Sequence, residues 1–229
     1  MSPPVGPTGL ATTCRGDADE ETSPRWRVGA NYAAFESQLR FTGSRDATLR
    51  QQAVALTLDR VLDPRTTLQF GLGASLGGSF LVDGAASAAT VAHDVHPGAL
   101  ASVAYAWRIV DDVGYVPFVL LSGSIAAAYA RIEERVAGAG STGLTSIDFR
   151  AGIAVGKTFF HALTPYLVAR AFGGPVFARV QGESIVGGDR HHYQLGAGLA
   201  VQLSHALDAS IEGAPVGERR ISVGVGYAF

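Results

Sequence analysis

The chain ends in Arg220-Ile-Ser-Val-Gly-Val-Gly-Tyr-Ala-Phe229, a stretch in which every second residue is large and apolar. The residues between them are small or polar. In an extended chain, successive side chains point to opposite faces. This period of two therefore predicts a β-strand with one apolar face and one face of small and polar residues.

The same alternation recurs along most of the chain. In residues 67–77, Leu68, Phe70 and Leu72 share one face, while Gln69 and Gly71 share the other. Residues 194–203 repeat the pattern. The alternating runs predict ten strands, with eight as the alternative count. The ten predicted strands lie at residues 25–35, 48–61, 66–81, 98–110, 115–132, 143–159, 165–180, 191–203, 207–213 and 219–229.

The predicted connections alternate between short and long. The short links lie at 62–65, 111–114, 161–165 and 204–206. They alternate with longer loops, rich in Gly, Ser and charged residues, at 36–47, 83–97, 133–142 and 181–190. The link at 214–218 is short and departs from this pattern. Short turns on one rim and longer loops on the other are typical of a closed antiparallel up-and-down transmembrane β-barrel, an all-β fold.

The overall composition is consistent with one folded domain. Of 229 residues, 47% are hydrophobic, and the net charge of −2 gives no reason to expect nucleic-acid binding. The single Cys14 excludes an internal disulfide. Residues 1–24 combine an acidic run with three early prolines, so we expect a disordered N-terminal extension there and the transmembrane barrel at residues 25–229.

Two other signals of membrane targeting or insertion are weak. The first ten residues lack the basic start and apolar stretch of a secretory signal. Residues 113–130 carry no charge and are long enough for one helical span. They contain Pro117, Gly114 and Gly123, however, and no second run of this kind exists in the sequence. We therefore expect strands, rather than a helix, to cross the membrane.

The composition of the second strand face indicates which solvent it meets. A face in bulk water should be rich in Lys and Glu, yet this face is mostly Gly, Ala and Ser. We expect it to line a narrow lumen that is plugged by paired charges, because single buried charges are costly. The predicted lumen charges are Arg27, Asp59, Arg108, Asp148, Arg150, Arg170, Asp208, Glu212 and Arg220.

Aromatic residues are expected at both edges of a bilayer. Those predicted on the short-turn rim are Trp26, Trp107, Tyr115, Phe159, Tyr166, Tyr227 and Phe229. Those predicted on the other rim are Tyr32, Phe35, Phe80, Tyr129, Phe177 and Tyr193. Two aromatic girdles around an aliphatic band indicate a bilayer rather than a soluble core.

With its alternating strands, its two girdles and its terminal Phe229, the chain resembles the bacterial outer-membrane β-barrel proteins of the OmpA-like and porin type. The resemblance covers residues 25–229 and concerns architecture. It implies a location in the bacterial outer membrane and contact with outer-membrane lipids and lipopolysaccharide. It also implies that the barrel-insertion machinery recognises the C-terminal strand.

Acidic and histidine residues on the long-loop rim offer an enzymatic alternative. Asp189 and His191 are similar to the Asp-x-His pair of the omptins, which are ten-stranded outer-membrane proteases. An Asp beside a His can orient the imidazole as a general base. Asp94 is the candidate on the second long loop. The nearby aspartate pair of the omptins has no match, because Asp83 and Asp94 are eleven residues apart.

Other rim residues give weaker chemical signals. A lipid A-modifying hydrolase could use Ser141 and Glu183, and the spacing of His93 and His96 permits a transition metal. Solvated loop side chains are the simpler explanation. We therefore expect no cofactor and no metal, and we leave the oligomeric state open. The predicted function is structural or surface-binding, with a mostly plugged lumen or a narrow pore; a rim hydrolase is the alternative.

Overall fold

The computed structural model describes residues 26–42, 45–82, 91–134, 141–180 and 183–229. These residues form thirteen antiparallel strands in one sheet. The strands are β1 (Trp26–Phe41), β2 (Arg45–Asp63), β3 (Thr66–Val82), β4 (Val91–Val95), β5 (Gly98–Val110), β6 (Phe118–Glu134), β7 (Ser141–Gly156), β8 (Leu163–Gly173), β9 (Val176–Val180), β10 (Glu183–Asp189), β11 (Tyr193–Gln202), β12 (Leu207–Gly217) and β13 (Arg219–Ala228).

The sheet closes on itself in two rings that share strands. At the short-turn end, the ring of paired strands runs through β1, β2, β3, β5, β6, β7, β8, β11, β12 and β13 and returns to β1. At the long-loop end, it runs through β1, β2, β3, β4, β6, β7, β9 and β10 and returns to β1. The barrel is therefore wider at its short-turn end.

The narrowing arises because the hairpin of β12 and β13 is short. This hairpin turns at residues 217–218, and β13 pairs with β1 only as far as Glu36. Farther along β1, Leu39 pairs instead with Asp189 of β10. The strand β1 thus has two successive partners on the same edge, and closure is maintained along its length.

The predicted count of ten strands is not confirmed, because the described sheet has thirteen. Breaks at residues 96–97, 174–175 and 190–192 separate β4 from β5, β8 from β9 and β10 from β11. Pro97 and Pro175 lie at two of these breaks and cannot donate a ladder hydrogen bond. Strands β4 and β10 lie in segments that the sequence predicts as loops. The predicted N-terminal extension, residues 1–24, lies outside the described residues.

The candidate helical span at residues 113–130 is not a helix. Its described residues from Phe118 onward belong to β6. Among the described ranges, no helix is long and apolar enough to cross a membrane.

The two faces of the wall exchange polarity along the strands. On β1, the outward residues change from Val28 and Ala30 to Glu36 and Arg40. The buried inward residues change from the polar Asn31 to the apolar Phe35 and Leu39. The strand β2 changes in the same way on both faces, and β6 does so on its outward face. The inward face of β6 is also apolar at the short-turn end, where Phe118 and Leu120 belong to a smaller buried cluster with Tyr166 and Val168. The barrel therefore has an apolar belt outside its short-turn part and an apolar core inside its long-loop part.

We call this inner core the cap. Its members are the buried residues Phe35, Leu39, Phe41, Ala47, Leu49, Phe80, Val82, Val95, Ala130, Ile132, Leu144, Val176, Ala178 and Ile185. They come from all eight strands of the narrower ring. The cap therefore fills the lumen at the long-loop end with packed apolar side chains.

Inward glycines let large polar side chains lie flat against the neighbouring strand. A Cβ at Gly226 would lie 2.0 Å from the Arg27 guanidinium, and a Cβ at Gly198 would lie 2.3 Å from the Tyr166 ring. Any larger residue at these positions would push the polar group away from its partners. This close approach explains part of the high glycine content on the inward face.

Candidate functional site

The inward face of the wider ring carries three ion-pair clusters. In the first cluster, Arg27 lies between two carboxylates near the short-turn end. Its Nη1 is 2.7 Å from Asp59 Oδ2, and its Nη2 is 2.5 Å from Asp208 Oδ1. Gln69 Nε2 donates to Asp59 Oδ1 at 2.7 Å. All four side chains come from different strands, so the cluster links β1, β2, β3 and β12 across the lumen wall.

The second cluster is centred on Glu212 of β12. Arg170 donates to both of its carboxylate oxygens, at 2.6 and 2.8 Å, and Tyr166 donates its hydroxyl at 3.1 Å. Arg170 also donates to Gln194 Oε1 at 3.0 Å. Glu212 is buried, and the bidentate geometry satisfies both of its oxygens.

Tyr166 corrects one prediction. The sequence places it at the membrane interface, but its side chain is only 3% exposed and lies in the lumen. The reason is strand parity, because Tyr166 shares the inward face of β8 with Val168 and Arg170. Phe35 and Phe80 are likewise inward and belong to the cap rather than to the outer girdle.

The third cluster is centred on Arg150 of β7. Arg150 Nε donates to Asp148 Oδ2 at 2.7 Å, and its Nη2 donates to Glu218 Oε1 at 2.9 Å. Ser37 Oγ donates to Glu218 Oε2 at 2.7 Å. The Arg150 side chain is 7% exposed, and its guanidinium also lies 4.6 Å from the Phe172 ring centroid.

Glu218 is the charged residue of this cluster that the alternating pattern does not predict. It lies in the turn between β12 and β13, just after Gly217, whose φ is +81°. A turn residue has no assigned face in an alternating pattern, so the pattern gave no signal. The short link at 214–218 was the only indication that this hairpin ends inside the wall rather than beyond it.

The remaining predicted lumen charges also face inward. Arg220 is buried on β13, and Arg108 is half-buried on β5. Asp189, predicted as a rim residue, is buried on the inward face of β10. Together with Glu218, the described lumen brings five arginines and six carboxylates to its inward face.

The rim residues proposed for catalysis are not brought together. Asp94 is exposed on the outward face of β4, while Asp189 is buried on β10. In the narrower ring these two strands lie on opposite sides of the barrel. His191 Nε2 lies 3.2 Å from Gln38 Oε1, outside the wall. The structure therefore does not bring Asp94, Asp189 and His191 together as omptin-like hydrolysis would require.

The other candidate pairs are also separated. His93 is buried with its ring 5.9 Å from that of Phe80, whereas His96 is exposed and its Nε2 lies 3.0 Å from Glu133 Oε2. The two imidazoles thus lie on opposite sides of the wall. In the described part of the chain, no three His, Cys, Asp or Glu side chains form a group that could hold a metal. Ser141 is exposed. Glu183 is not among the residues whose side chains the structure describes.

The outer surface at the short-turn end carries several large aromatic residues. Trp107, Tyr115, Tyr227 and Phe229 are exposed. Trp26 is partly buried, with the Arg60 guanidinium carbon 5.3 Å from its ring centroid. These five predicted interface residues form a rim below the apolar belt.

A polar contact fixes the turn region between β5 and β6 at this same end. Thr158 N donates to Asp112 Oδ2 at 2.7 Å, and Lys157 Nζ donates to the other oxygen. Burial alone would raise the pKa of the Asp112 carboxyl. The hydrogen bonds from Lys157 and Thr158 outweigh it and hold this pKa below its usual value.

The chain matches no protein-family model and no curated protein sequence. It does match solved structures. One is the outer membrane protease OmpT from Escherichia coli, with a TM-score of 0.56 and 7% identity over 94% of this chain and 100% of that chain. Another is the translocator domain of the autotransporter NalP from Neisseria meningitidis, with a TM-score of 0.50 and 15% identity over 96% and 92% of the two chains.

At these identities the likeness shows the fold. The chain has the antiparallel β-barrel fold of bacterial outer-membrane proteins, so the fold family predicted from the sequence is confirmed. The predicted outer-membrane location agrees with this fold.

Proposed function

We propose that this protein is an integral outer-membrane β-barrel with a closed lumen, which anchors its long-loop end at the cell surface in a structural or surface-binding role. The observation that carries the proposal is the exchange of polarity along the wall. An apolar belt faces outward where the lumen is charged, and an apolar cap fills the lumen where the exterior is polar. No step of the proposed role requires a cofactor.

The apolar belt supports the membrane part of the proposal. Leu56, Leu72 and Leu167 are 70%, 69% and 68% exposed on the outer wall. A soluble protein would bury such a continuous aliphatic surface, since large exposed apolar patches drive association. In a bilayer the same surface contacts lipid, and closure of the sheet satisfies the backbone polar groups. The final strand β13, ending beside Phe229, is the segment we expect the insertion machinery to recognise.

The closed lumen supports the non-pore part of the proposal. The cap packs fourteen buried side chains from eight strands across one end. Below it, the ion-pair clusters draw arginines and carboxylates together along the inward wall. A diffusion pore needs a continuous hydrated path, and the cap interrupts such a path.

We expect the refolded protein to show no steady openings in a planar lipid bilayer. Cap residues fill the lumen, so ions have no hydrated route from one end to the other. The measurement is single-channel recording in about 1 M salt, so that small openings are visible. Regular unitary steps from the unmodified protein would contradict the closed lumen and favour a narrow pore.

We expect Leu56→Arg to lower the free energy of unfolding by about 2–4 kcal/mol in lipid vesicles, because its side chain faces the middle of the apolar belt. The measurement is urea unfolding followed by tryptophan fluorescence. Thr48→Arg is the matched control, since Thr48 lies on the outward face of the same strand but beyond the belt. Equal losses in the two variants would show that the belt does not contact lipid.

A further inference from the structure

Side-chain size divides the lumen wall below the cap into two sides. On β7, β8, β11 and β12 the inward face carries the long polar side chains of the second and third ion-pair clusters. On β1, β2, β3, β5 and β6 the inward residues below the cap are mostly small. The small inward residues include Ala33, Ala53, Ala55, Gly71, Gly73, Ser75, Ser102, Ala104, Ser124 and Ala126.

The long side chains extend along their own side of the wall rather than across the lumen. Arg150 donates to Asp148 of the same strand and to Glu218 at the end of the neighbouring hairpin. Arg170 donates to Gln194 of β11 and to Glu212 of β12. These ion pairs hold the guanidinium groups close to the strands that carry them, so the opposite side of the lumen is not covered by them.

The small residues on that opposite side are nevertheless buried. Ala33, Ala53, Ala104 and Ala126 are 0%, 2%, 3% and 4% exposed. A ring of eight strands is just wide enough for its own side chains to fill, and the ring at the short-turn end has ten. Short side chains alone do not fill a ring of this width. Their burial therefore indicates that further atoms of the chain lie over them.

Three buried polar atoms near the lower edge of the cap also need partners. Gln51 Nε2, Ser75 Oγ and Ser146 Oγ have no hydrogen-bond partner among the described residues. Gln51 pairs in register with Phe35 and Ser146 with Val176, which are both members of the cap. Buried polar groups are nearly always hydrogen-bonded. A peptide backbone offers both donors and acceptors to such atoms.

We propose that the segment preceding β1 fills this lumen, with residues 1–14 inside the wider ring below the cap and the acidic run 17–21 at its short-turn mouth. Residues 1–14 carry no charged side chain and are rich in Gly, Pro, Ala and Thr. They therefore bring no unpaired charge into the buried lumen. The proposal goes beyond the proposed function, because it closes the lumen from the end opposite the cap.

The chain before β1 is long enough for this arrangement. The strand β1 begins with Trp26 at the short-turn end, and Phe35 of the cap lies nine residues farther along it. That stretch of strand is about 30 Å long. The eleven residues 15–25 span up to roughly 36 Å when extended. They can therefore carry Cys14 from the mouth of the lumen to the level of the cap.

The first test measures the reactivity of Cys14, the single cysteine of the chain. The refolded full chain in detergent is treated with a polyethylene-glycol maleimide. We expect Cys14 to react about tenfold or more slowly than in urea, because the reagent reaches a lumen thiol only when the barrel opens. The control is C14A/S204C, since Ser204 is exposed in a turn at the same end. Its thiol should react equally fast in both states.

The second test locates Cys14 by disulfide formation during oxidative refolding. Ala55→Cys and Ala104→Cys place a second thiol on the inward face, whereas Val54→Cys and Val103→Cys place it on the outward face of the same strands. We expect a disulfide with at least one inward thiol and with neither outward thiol. A disulfide to an outward thiol would overturn the proposal, as would the absence of a disulfide at both inward positions.

Heat-modifiable mobility on gels reports barrel folding separately from both tests. A folded barrel in which Cys14 reacts as fast as in urea refutes the filled lumen and leaves the membrane role intact. A chain that stays folded and monodisperse without detergent refutes the membrane role instead.

Discussion

Replacing Arg150 with alanine should lower the free energy of unfolding by about 3–5 kcal/mol. The guanidinium is the partner of both Asp148 and Glu218, and all three side chains are at most 7% exposed. Its removal takes away the guanidinium from which both Asp148 and Glu218 accept hydrogen bonds, and it leaves the two carboxylates close to each other. A buried charge that has lost its partner retains the cost of desolvation, which is why the loss is large. Reversible urea unfolding in detergent or lipid vesicles is the measurement.

Arg65→Ala is the control for this variant. Arg65 also pairs with a carboxylate, that of Asp111, but its side chain is 57% exposed at the short-turn end. Water screens this pair, so its loss should change the free energy of unfolding by about 1 kcal/mol or less. Similar losses in the two variants would mean that water reaches Arg150 freely, and the lumen would then be hydrated rather than closed.

The sequence predicts the barrel well because closure depends on a pattern that survives in every strand. Alternation identifies which residues share a face, and the Gly, Ala and Ser content of one face indicates a confined lumen. The nine predicted lumen charges do lie on that face. The fold family follows from the same observations, since the alternating strands and the terminal Phe229 depend only on local order in the chain.

The aromatic residues show where this reasoning failed. Height along the strands places Phe35, Phe80 and Tyr166 in the girdles, but height alone takes no account of the face on which a side chain lies. Tyr166 has the parity of Arg170, and Phe35 has the parity of Arg27, so both face the lumen. Counting positions from a known lumen charge corrects Phe35 and Tyr166. It does not correct Phe80, because the register shift between Ser75 and Gly77 reverses the inward parity of β3. The cap would then have been visible as a row of apolar residues on the charged face.

Other features could not be read from alternation. Glu218 lies in a turn, where side chains have no fixed face, and its role depends on the hairpin ending within the wall. The strand count depends on breaks such as Gly174 and Pro175, which interrupt hydrogen bonding without changing the apolar period. The separation of Asp94 from Asp189 depends on which strands are opposite in the closed ring, and only the pairings show that.

Phe80→Ala should also lower the free energy of unfolding by about 3–5 kcal/mol, because its ring is fully buried at the centre of the cap. The Phe80 ring packs edge-on against Phe41, with centroids 5.9 Å apart, and lies at the same distance from the His93 ring. These neighbours come from β1 and β4, which flank the two sides of the β2–β3 hairpin. The barrel wall limits the movement of Phe41 and His93. Removing the Phe80 ring therefore leaves a cavity that these neighbours fill only in part.

Phe177→Ala is the matched control, since the same ring is lost from the outward face of β9, where Phe177 is 43% exposed. Its removal leaves no cavity inside the barrel, and we expect a loss well below that of Phe80→Ala. Urea unfolding of both variants in the same vesicles gives the comparison. If Phe177→Ala cost as much as Phe80→Ala, the cap would not be a packed core. The closed lumen would then depend on the ion-pair clusters alone, and Arg150→Ala would become the variant expected to open it.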